Sequence, residues 1–579
     1  MSLNPIVEKI LALRGIDDAA RDDFLHPTLD KLAKPEELPG IDKAADIILD
    51  SVLYRRKIVV FGVYDCDGVC ATAIISRTLK ALGGTVSEFI PDRLTEGYGM
   101  SEQSIARMLK GNPGVGLVIT VDNGINSVAE VTNLKRKWSS VVVTDHHLPG
   151  NELPDANAIV DPKLEAPPHL ANLCGAGVAF MLANRIVSEA KRRGMYSGPS
   201  IGGPLLVLAG LATVTDIMPL LGQNRILVSE ALKRFFTCAP IGLQELHSRA
   251  ARAGVTELTT RDFSFMLGPR INAVGRIETF GAAQALELVV SEDKEIVREL
   301  ARLVDGYNIE RKQIEQKMTD EAMAKVVPGA PAQVIDLSDG HPGVAGIVAA
   351  RVMERLDRAV PVCVYAGGHG SARAPEGFNI RDAFVACDEV LERYGGHAAA
   401  GGFGVKEGRI DDFRRMLCEY CERVFPAGAD SMERKNEPDL WVEPGDLTLE
   451  LAEELRQLEP FGEGNREPVF GLRGVHISDV KTLGMDGKHL AITVRGPGLR
   501  CVWWNHGDLV EKLRAESAAP HDITFTLAVS DYGERHAEPR LVSIHPASSG
   551  RQVKCAEGGG GDGGRTADEC RAIGRELLW

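Results

Sequence analysis

The chain has 579 residues, too many for one compact core, and its 44% hydrophobic and 25% charged content is that of a soluble protein of several domains. A net charge of -15 argues against a broad surface that coats nucleic acid, while leaving room for a local basic groove. The 11 cysteines form no regular framework, which points to reduced thiols and a cytoplasmic location; no signal-peptide pattern or bilayer-length apolar run appears.

A helical, proline-punctuated segment fills 1–40. From 41 to 240, apolar runs alternate with helical patterns, which predicts a parallel α/β sheet with strands at 58–64, 85–91, 115–121, 141–144 and 158–160. Helix-compatible spacing falls between them at 71–79 and 126–138. The run Leu205 to Val214 reads equally as a buried helix or a buried strand. A helical connector follows at 241–325, its last part charged in the manner of a helix joining two lobes.

A second α/β unit occupies 326–425, with glycine-rich stretches around Gly343, Gly367 and Gly395. Cys418-x-x-Cys421 lies in a helical pattern with no second pair to complete a zinc site, so it reads as ordinary helix. The polar stretch 426–437 reads as a linker. Short β runs between 439 and 546 suit a small barrel of OB type, and 547–579 is a glycine-rich tail. The fold class expected is therefore α/β, with two lobes joined by a long helix and followed by a β-rich, OB-like domain.

Chemistry concentrates at three strand ends: Asp65-Cys66-Asp67-Gly68, Asp122-Asn123-Gly124 and Asp145-His146-His147, with Asp216 after the 205–214 run. Ligands of open α/β sheets bind at the carboxyl ends of strands, so these groups can meet. Carboxylates and imidazoles suit Mn²⁺ or Mg²⁺, and a pair of such ions can activate water against a phosphate ester. A metal-dependent phosphoesterase is the reading that the residues alone support.

The order of these motifs resembles that of the DHH phosphoesterase superfamily. Within it, Pro91 to Gly99, Gly268-Pro269-Arg270-Ile271-Asn272-Ala273-Val274-Gly275-Arg276, His341-Pro342-Gly343-Val344 and Gly395-Gly396-His397-Ala398 are similar to motifs of the RecJ family of single-strand-specific exonucleases. Leu458 to Asn465 carries the similarity into the third domain. The resemblance implies a DHH domain, a DHHA1 domain and an OB-fold, and a 5′→3′ exonuclease that releases 5′-mononucleotides from single-stranded DNA in recombination and repair.

It also implies roles, position by position. Asp122 would bridge two ions, with Asp67, His146 and Asp216 around one of them and Asp65 at the other. His147 would face the scissile phosphate and Asp145 would orient a histidine. Arg270, Asn272, Arg276, His341, Ser371, Arg373 and His397 would contact the substrate, and the arginine forks suit phosphate oxygens. Trp503 and Trp504 could stack bases or belong to the barrel core. Implied partners are single-stranded DNA, single-strand-binding protein and a RecQ-type helicase, with the protein a monomer.

One position departs from the family pattern: Val63 stands where an additional Asp is usual. The competing readings are a small-substrate DHH phosphodiesterase of nanoRNase type, which needs no third domain, and a catalytically impaired single-strand-binding homologue.

Overall fold

A computed structural model describes residues 3–547 apart from 138, 252–254, 426–436, 485, 497 and 532–533. Nearly all of the stretch read as a linker and of the glycine-rich tail therefore lies outside the described residues.

Five runs rich in β-branched residues form one parallel sheet: β1 (Lys57–Phe61), β2 (Thr85–Phe89), β3 (Val115–Val121), β4 (Ser140–Thr144) and β5 (Ala158–Val160). Their spatial order is β2-β1-β3-β4-β5. β1 stops at Phe61 instead of running to 64 because Asp65 caps the helix Cys66–Ala81, its side chain accepting from Gly68 N at 3.0 Å.

Alternate side chains of the sheet enter two different cores. Ile58, Val60, Ile119 and Val142 pack under the helices Cys66–Ala81, Gly175–Arg192 and Gly202–Thr215. Val59, Phe61, Val118 and Val143 face the opposite layer, built around Ile105, Met108, Val131 and Leu134. The ambiguous run 205–214 is helix, apolar on every side because it is buried on every side. Strand order reverses between β1 and β3, so the crevice of this sheet opens beyond their carboxyl ends.

The first core continues through the helices Ile241–Ala250, Gly268–Ile277 and Ala282–Val290 to Val304. The 30-residue helix Lys294–Met323, about 45 Å long at 1.5 Å per residue, then leaves that core and enters the next at Met318 and Ala322. There β6 (Gln333–Leu337), β7 (Val362–Ala366), β8 (His369–Arg373), β9 (Leu391–Gly396) and β10 (Ala400–Val405) make a sheet of order β6-β7-β8-β10-β9, parallel only between β6 and β7. Cys418 and Cys421 lie on the helix Ile410–Val424, with Cys421 in the hydrophobic core.

The third sheet holds β11 (Leu440–Trp441), β12 (Phe470–Leu483), β13 (His489–Val494), β14 (Arg500–Trp503), β15 (Pro520–Ser530) and β16 (His536–Pro546). Its order is β11-β12-β13-β14-β16-β15, and pairing of β12 with β15 closes it into a barrel. The N-terminal helices Pro5–Leu13 and Asp18–Leu25 belong to this end of the molecule: Val7, Ile10, Leu11 and Phe24 share a core with Leu451, Phe470 and Ile523. No helix among the described residues is long and apolar enough to cross a membrane.

Candidate active site

β1, β3 and β4 each deliver their acidic loop to the crevice, and the C-terminus of the helix Gly202–Thr215 delivers Asp216. His146 sits at the centre. Its Nε2 lies 3.1 Å from Asp122 Oδ1 and 3.7 Å from both Asp67 Oδ2 and Asp216 Oδ2. Two overlapping ligand groups result, Asp67/His146/Asp216 and Asp122/His146/His147, each with donor atoms within 4.8 Å of one another. Asp65 belongs to neither group in this geometry, because its side chain is turned to the helix cap.

Local backbone chemistry holds these groups in place. Asp122 occupies the left-handed region at φ 61, a conformation that costs a non-glycine residue about 1 kcal/mol or more. Its peptide is pinned from both sides: Tyr98 Oη donates to Asp122 O at 2.9 Å, and Asn123 Nδ2 donates to Val121 O at 2.8 Å. Asp67 accepts from Gly175 N and Ala176 N, both at 2.7 Å, so the N-terminus of the helix Gly175–Arg192 grips its carboxylate. Glycine is required at 175, since a Cβ there would lie 2.5 Å from Asp122 Cβ.

The carboxylates are buried against one another. Burial first, then Asp65, pushes Asp67 up to about 6, and burial followed by Asp67 and Asp65 pushes Asp216 up to about 8. Asp122 is driven well above the carboxylate range by burial and then by Asp67, and its Oδ1 is buried without a hydrogen-bond partner. Burial pushes His146 down to about 3, leaving a neutral imidazole lone pair. Mutually repelling hard oxygens around a neutral imidazole, one oxygen unsatisfied, fit a divalent cation of the Mn²⁺ or Mg²⁺ kind.

His147 is the opposite case. Burial disfavours its charge, yet a 2.7 Å hydrogen bond from Nδ1 to Asp145 Oδ1 and the charge of that carboxylate raise it to about 9. Asp145 also accepts from Ile125 N at 2.9 Å and from His146 N at 2.8 Å, which fixes the whole triplet. Nε2 of His147 lies 3.3 Å from Tyr98 Oη on the open side.

The other residues singled out in the sequence fall into two sets. Arg276 donates to Gly343 O at 3.2 Å, and Gly346 leaves space for Arg373 Nη2 and Ser371 Oγ, which would stand 3.1 and 3.5 Å from a Cβ there. These three side chains converge where the first lobe meets the second. Arg270 is engaged elsewhere, with Asp305 at 2.8 Å and Met266 O at 2.8 Å. Asn272 Oδ1 accepts from Cys66 N at 2.7 Å and so braces the Asp65–Asp67 loop. His341 Nδ1 accepts from Gly343 N at 3.1 Å, and His397 lies exposed in the turn between β9 and β10. Val63 is fully buried with a methyl packed over Gly68, so that position supplies no oxygen.

Tyr98, Gly175 and Ala176 were not singled out in the sequence. The Gly97-Tyr98-Gly99 triplet offered a signal for the first; the glycine-rich Gly175-Ala176-Gly177 helix start was the signal for the others.

The chain matches the model of the DHH family N-terminal domain at residues 57–202, the DHHA1 domain at 329–423 and the RecJ OB domain at 438–538. It is 35% identical over 564 residues to the single-stranded-DNA-specific exonuclease RecJ of Bacillus subtilis, covering 96% of this chain and 69% of that protein. The RecJ of Dickeya dadantii is 34% identical, with 94% of this chain and 96% of that one covered. Among solved structures, RecJ of Thermus thermophilus in complex with Mn²⁺ superposes with a TM-score of 0.78 at 31% identity, covering 95% of this chain and 79% of that one.

Proposed function

The chain belongs to the RecJ family of single-stranded-DNA-specific exonucleases, and we propose that it is a Mn²⁺- or Mg²⁺-dependent exonuclease that shortens single-stranded DNA from the 5′ end, releasing 5′-mononucleotides. The observation that carries this reading is the unsatisfied Asp122 Oδ1 facing His146 among carboxylates from separate elements. Asp67, Asp122, His146 and Asp216 would hold the metal, and Asp65, whose charge acts on both Asp67 and Asp122, would serve a second ion. Bound there, the cation supplies hydroxide near neutral pH and offsets charge on phosphoryl oxygens.

The protein's own groups do the rest. His147, held protonated by Asp145, presents Nε2–H to a phosphate oxygen in place of Tyr98. Arg276, Arg373 and Ser371 bind the strand's phosphate from the second lobe, where guanidinium forks and a hydroxyl match its oxygens. Asn272 and the helix start at Gly175 keep the Asp65–Asp67 loop rigid, so that little reorganisation accompanies reaction. The barrel holds the incoming strand. We assign it a monomer's role on strand exposed by a RecQ-type helicase and coated by single-strand-binding protein.

The test is digestion of 5′-labelled single strand with and without Mn²⁺ by the wild type and Asp122→Ala. Metal-dependent release of labelled mononucleotide by the wild type alone is expected; absence of activity in both sinks the reading. Comparison with di- and trinucleotides separates it from a small-substrate phosphodiesterase, which would prefer the short substrates.

A further inference from the structure

The segment 91–99, between β2 and the helix Glu102–Gly111, folds back on Asp92. Glu96 N and Gly97 N donate to Asp92 O at 2.9 and 3.1 Å, and Glu96 Oε2 accepts from Asp92 N at 2.8 Å. Arg107 fastens that turn to the lobe. It donates to the Glu96 carboxylate through Nε and Nη2, both at 2.7 Å, and to Ile90 O at 2.9 Å. A planar guanidinium held in two places on a buried carboxylate fixes orientation as well as distance.

The Asp92 carboxylate is buried and fully used. Oδ1 accepts from Leu94 N at 3.1 Å, Thr95 N at 2.8 Å and Thr95 Oγ1 at 2.7 Å. Oδ2 accepts from Phe280 N, in the turn that follows the helix Gly268–Ile277 and its Arg276. Every partner is a donor, so an amide of the same shape would turn its own NH2 towards one of them and break that side. Asp92 therefore ties the segment to the helical connector, where sequence separation is 188 residues.

At the far end of the segment stands Tyr98, between Gly97 at φ 81 and Gly99 at φ 69. Its Oη donates to Asp122 O at 2.9 Å, and its ring meets those of Tyr64 and His147 edge-on, at 5.9 and 5.8 Å between centroids. Among the described residues seven non-glycine residues have positive φ, and two of them are the residues gripped at the two ends: Phe280 at 58 and Asp122 at 61. Such backbone persists only where its surroundings over-determine it. The segment supplies that constraint at both places, and one of them carries the aspartate that would bridge the metal.

We propose that 92–98 is a strut that positions Asp122. Asp92 is its foot on the connector, Tyr98 is its tip, and the Tyr98 hydroxyl holds the Asp122 peptide in the left-handed turn that presents Oδ1 to the cation. Both are positioning residues in this role and touch neither metal nor reacting atoms. The proposal rests on the metal-dependent reading of the site, and it makes metal affinity depend on a hydrogen bond to the connector.

Full-length wild type, Asp92→Asn, Tyr98→Phe and the double variant are compared, with matched melts in EDTA to check folding. Tyr98 is exposed, so its variant tests the tip even where Asp92→Asn melts early. Mn²⁺ binding is read without substrate from the electron paramagnetic resonance signal of the free aquo ion, which disappears as the ion binds. Loss of one ordinary hydrogen bond predicts about fivefold weaker binding in each single variant. Because both act through one strut, the double variant is expected to be about fivefold weaker as well, where independent effects would multiply to about 25-fold. In cleavage of a 20-nucleotide single strand, Asp92→Asn should need about fivefold more Mn²⁺ for half-maximal rate. It should regain the wild-type rate at saturating Mn²⁺, which a loss of folded protein would not allow.

Wild-type Mn²⁺ affinity in either single variant overturns the proposal. So does a double variant whose loss is the product of the two single losses, or a rate deficit in Asp92→Asn that saturating Mn²⁺ leaves in place. A wild type that binds Mn²⁺ but leaves the 20-mer uncut sinks the exonuclease reading, while the binding series still decides the strut. A wild type that binds no Mn²⁺ overturns both.

Discussion

Two regions of this molecule bury charge, and they do so in opposite ways. At the joint between the first lobe and the barrel, Arg225 is 2% exposed, yet its guanidinium donates to Phe24 O at 2.6 Å, Leu458 O at 3.1 Å and Glu459 O at 2.7 Å, and lies 3.8 Å over the Phe24 ring. At the candidate active site, Asp122 is equally buried but its Oδ1, 3.1 Å from His146 Nε2, has no hydrogen-bond partner, in a left-handed backbone conformation beside carboxylates that repel it. Satisfied buried charge makes a fixed joint; unsatisfied buried charge of one sign calls for a ligand of the other.

The largest effect expected from breaking this contrast is at the unsatisfied side, where Asp122→Ala should abolish Mn²⁺-dependent nuclease activity while leaving the melting temperature of the metal-free protein unchanged or raised. Melts in EDTA alongside activity assays check both halves. On the satisfied side, Arg225→Ala removes the guanidinium from Phe24 O and Glu459 O, while Leu458 O keeps Asn465 Nδ2 at 2.8 Å; each buried carbonyl left unpaired costs about 1–3 kcal/mol. The barrel should then melt ahead of the lobes, seen as two calorimetric transitions where the wild type gives one.

Asp145→Asn removes the charge that keeps His147 protonated, and a cost of about 10–100-fold in turnover is expected. In the proposed role His147 acts in its charged form, so activity is expected to fall as pH rises through its pKa of about 9. In the variant that alkaline limb should move to lower pH; an unmoved limb would show that His147 is not the group titrating.

Metal-free stability has its own sign. Asp67 at about 6 and Asp216 at about 8 stand above the unfolded carboxyl value of about 3.9, so the folded protein holds protons that the unfolded chain releases. Their stability contribution is full below about pH 4 and is lost as pH rises towards 8. Mn²⁺ at about 100 times its Kd should raise Tm by about 2 °C at pH 8 and by less at pH 5. Smallest in effect, Val63→Asp adds an oxygen beside the Asp65–Asp67 loop and should shift the Mn²⁺ concentration needed for activity downward, read from metal titrations of the rate.

The satisfied and unsatisfied sites also differ in how far the sequence disclosed them. The strand ends before Asp122 and Asp145 were legible because each follows a β-branched run whose length and pattern fix where the strand stops; before Asp65 the apolar run overshot, since the strand ends at Phe61 and the helix cap begins at Asp65. Asp145 as the partner of a histidine was what the family resemblance implied, and the 2.7 Å contact with His147 Nδ1 fits that role. The grip of Gly175 and Ala176 on Asp67 spans more than 100 residues and depends on a helix start arriving at a strand end, which local pattern does not encode. Arg225 looked like any arginine on an amphipathic helix; its burial comes from carbonyls about 200 residues away on either side. The N-terminal helices were legible as helices, but their packing against the barrel depends on contacts some 450 residues apart.

The most direct measurement is anomalous scattering from crystals of the wild type soaked in Mn²⁺. Density among Asp67, Asp122, His146 and Asp216, with Asp122 Oδ1 within coordination distance and no density in Asp122→Ala crystals, is the predicted result. A Mn²⁺ ion elsewhere on the protein, with the Asp122–His146 contact left intact and the site empty, would contradict it.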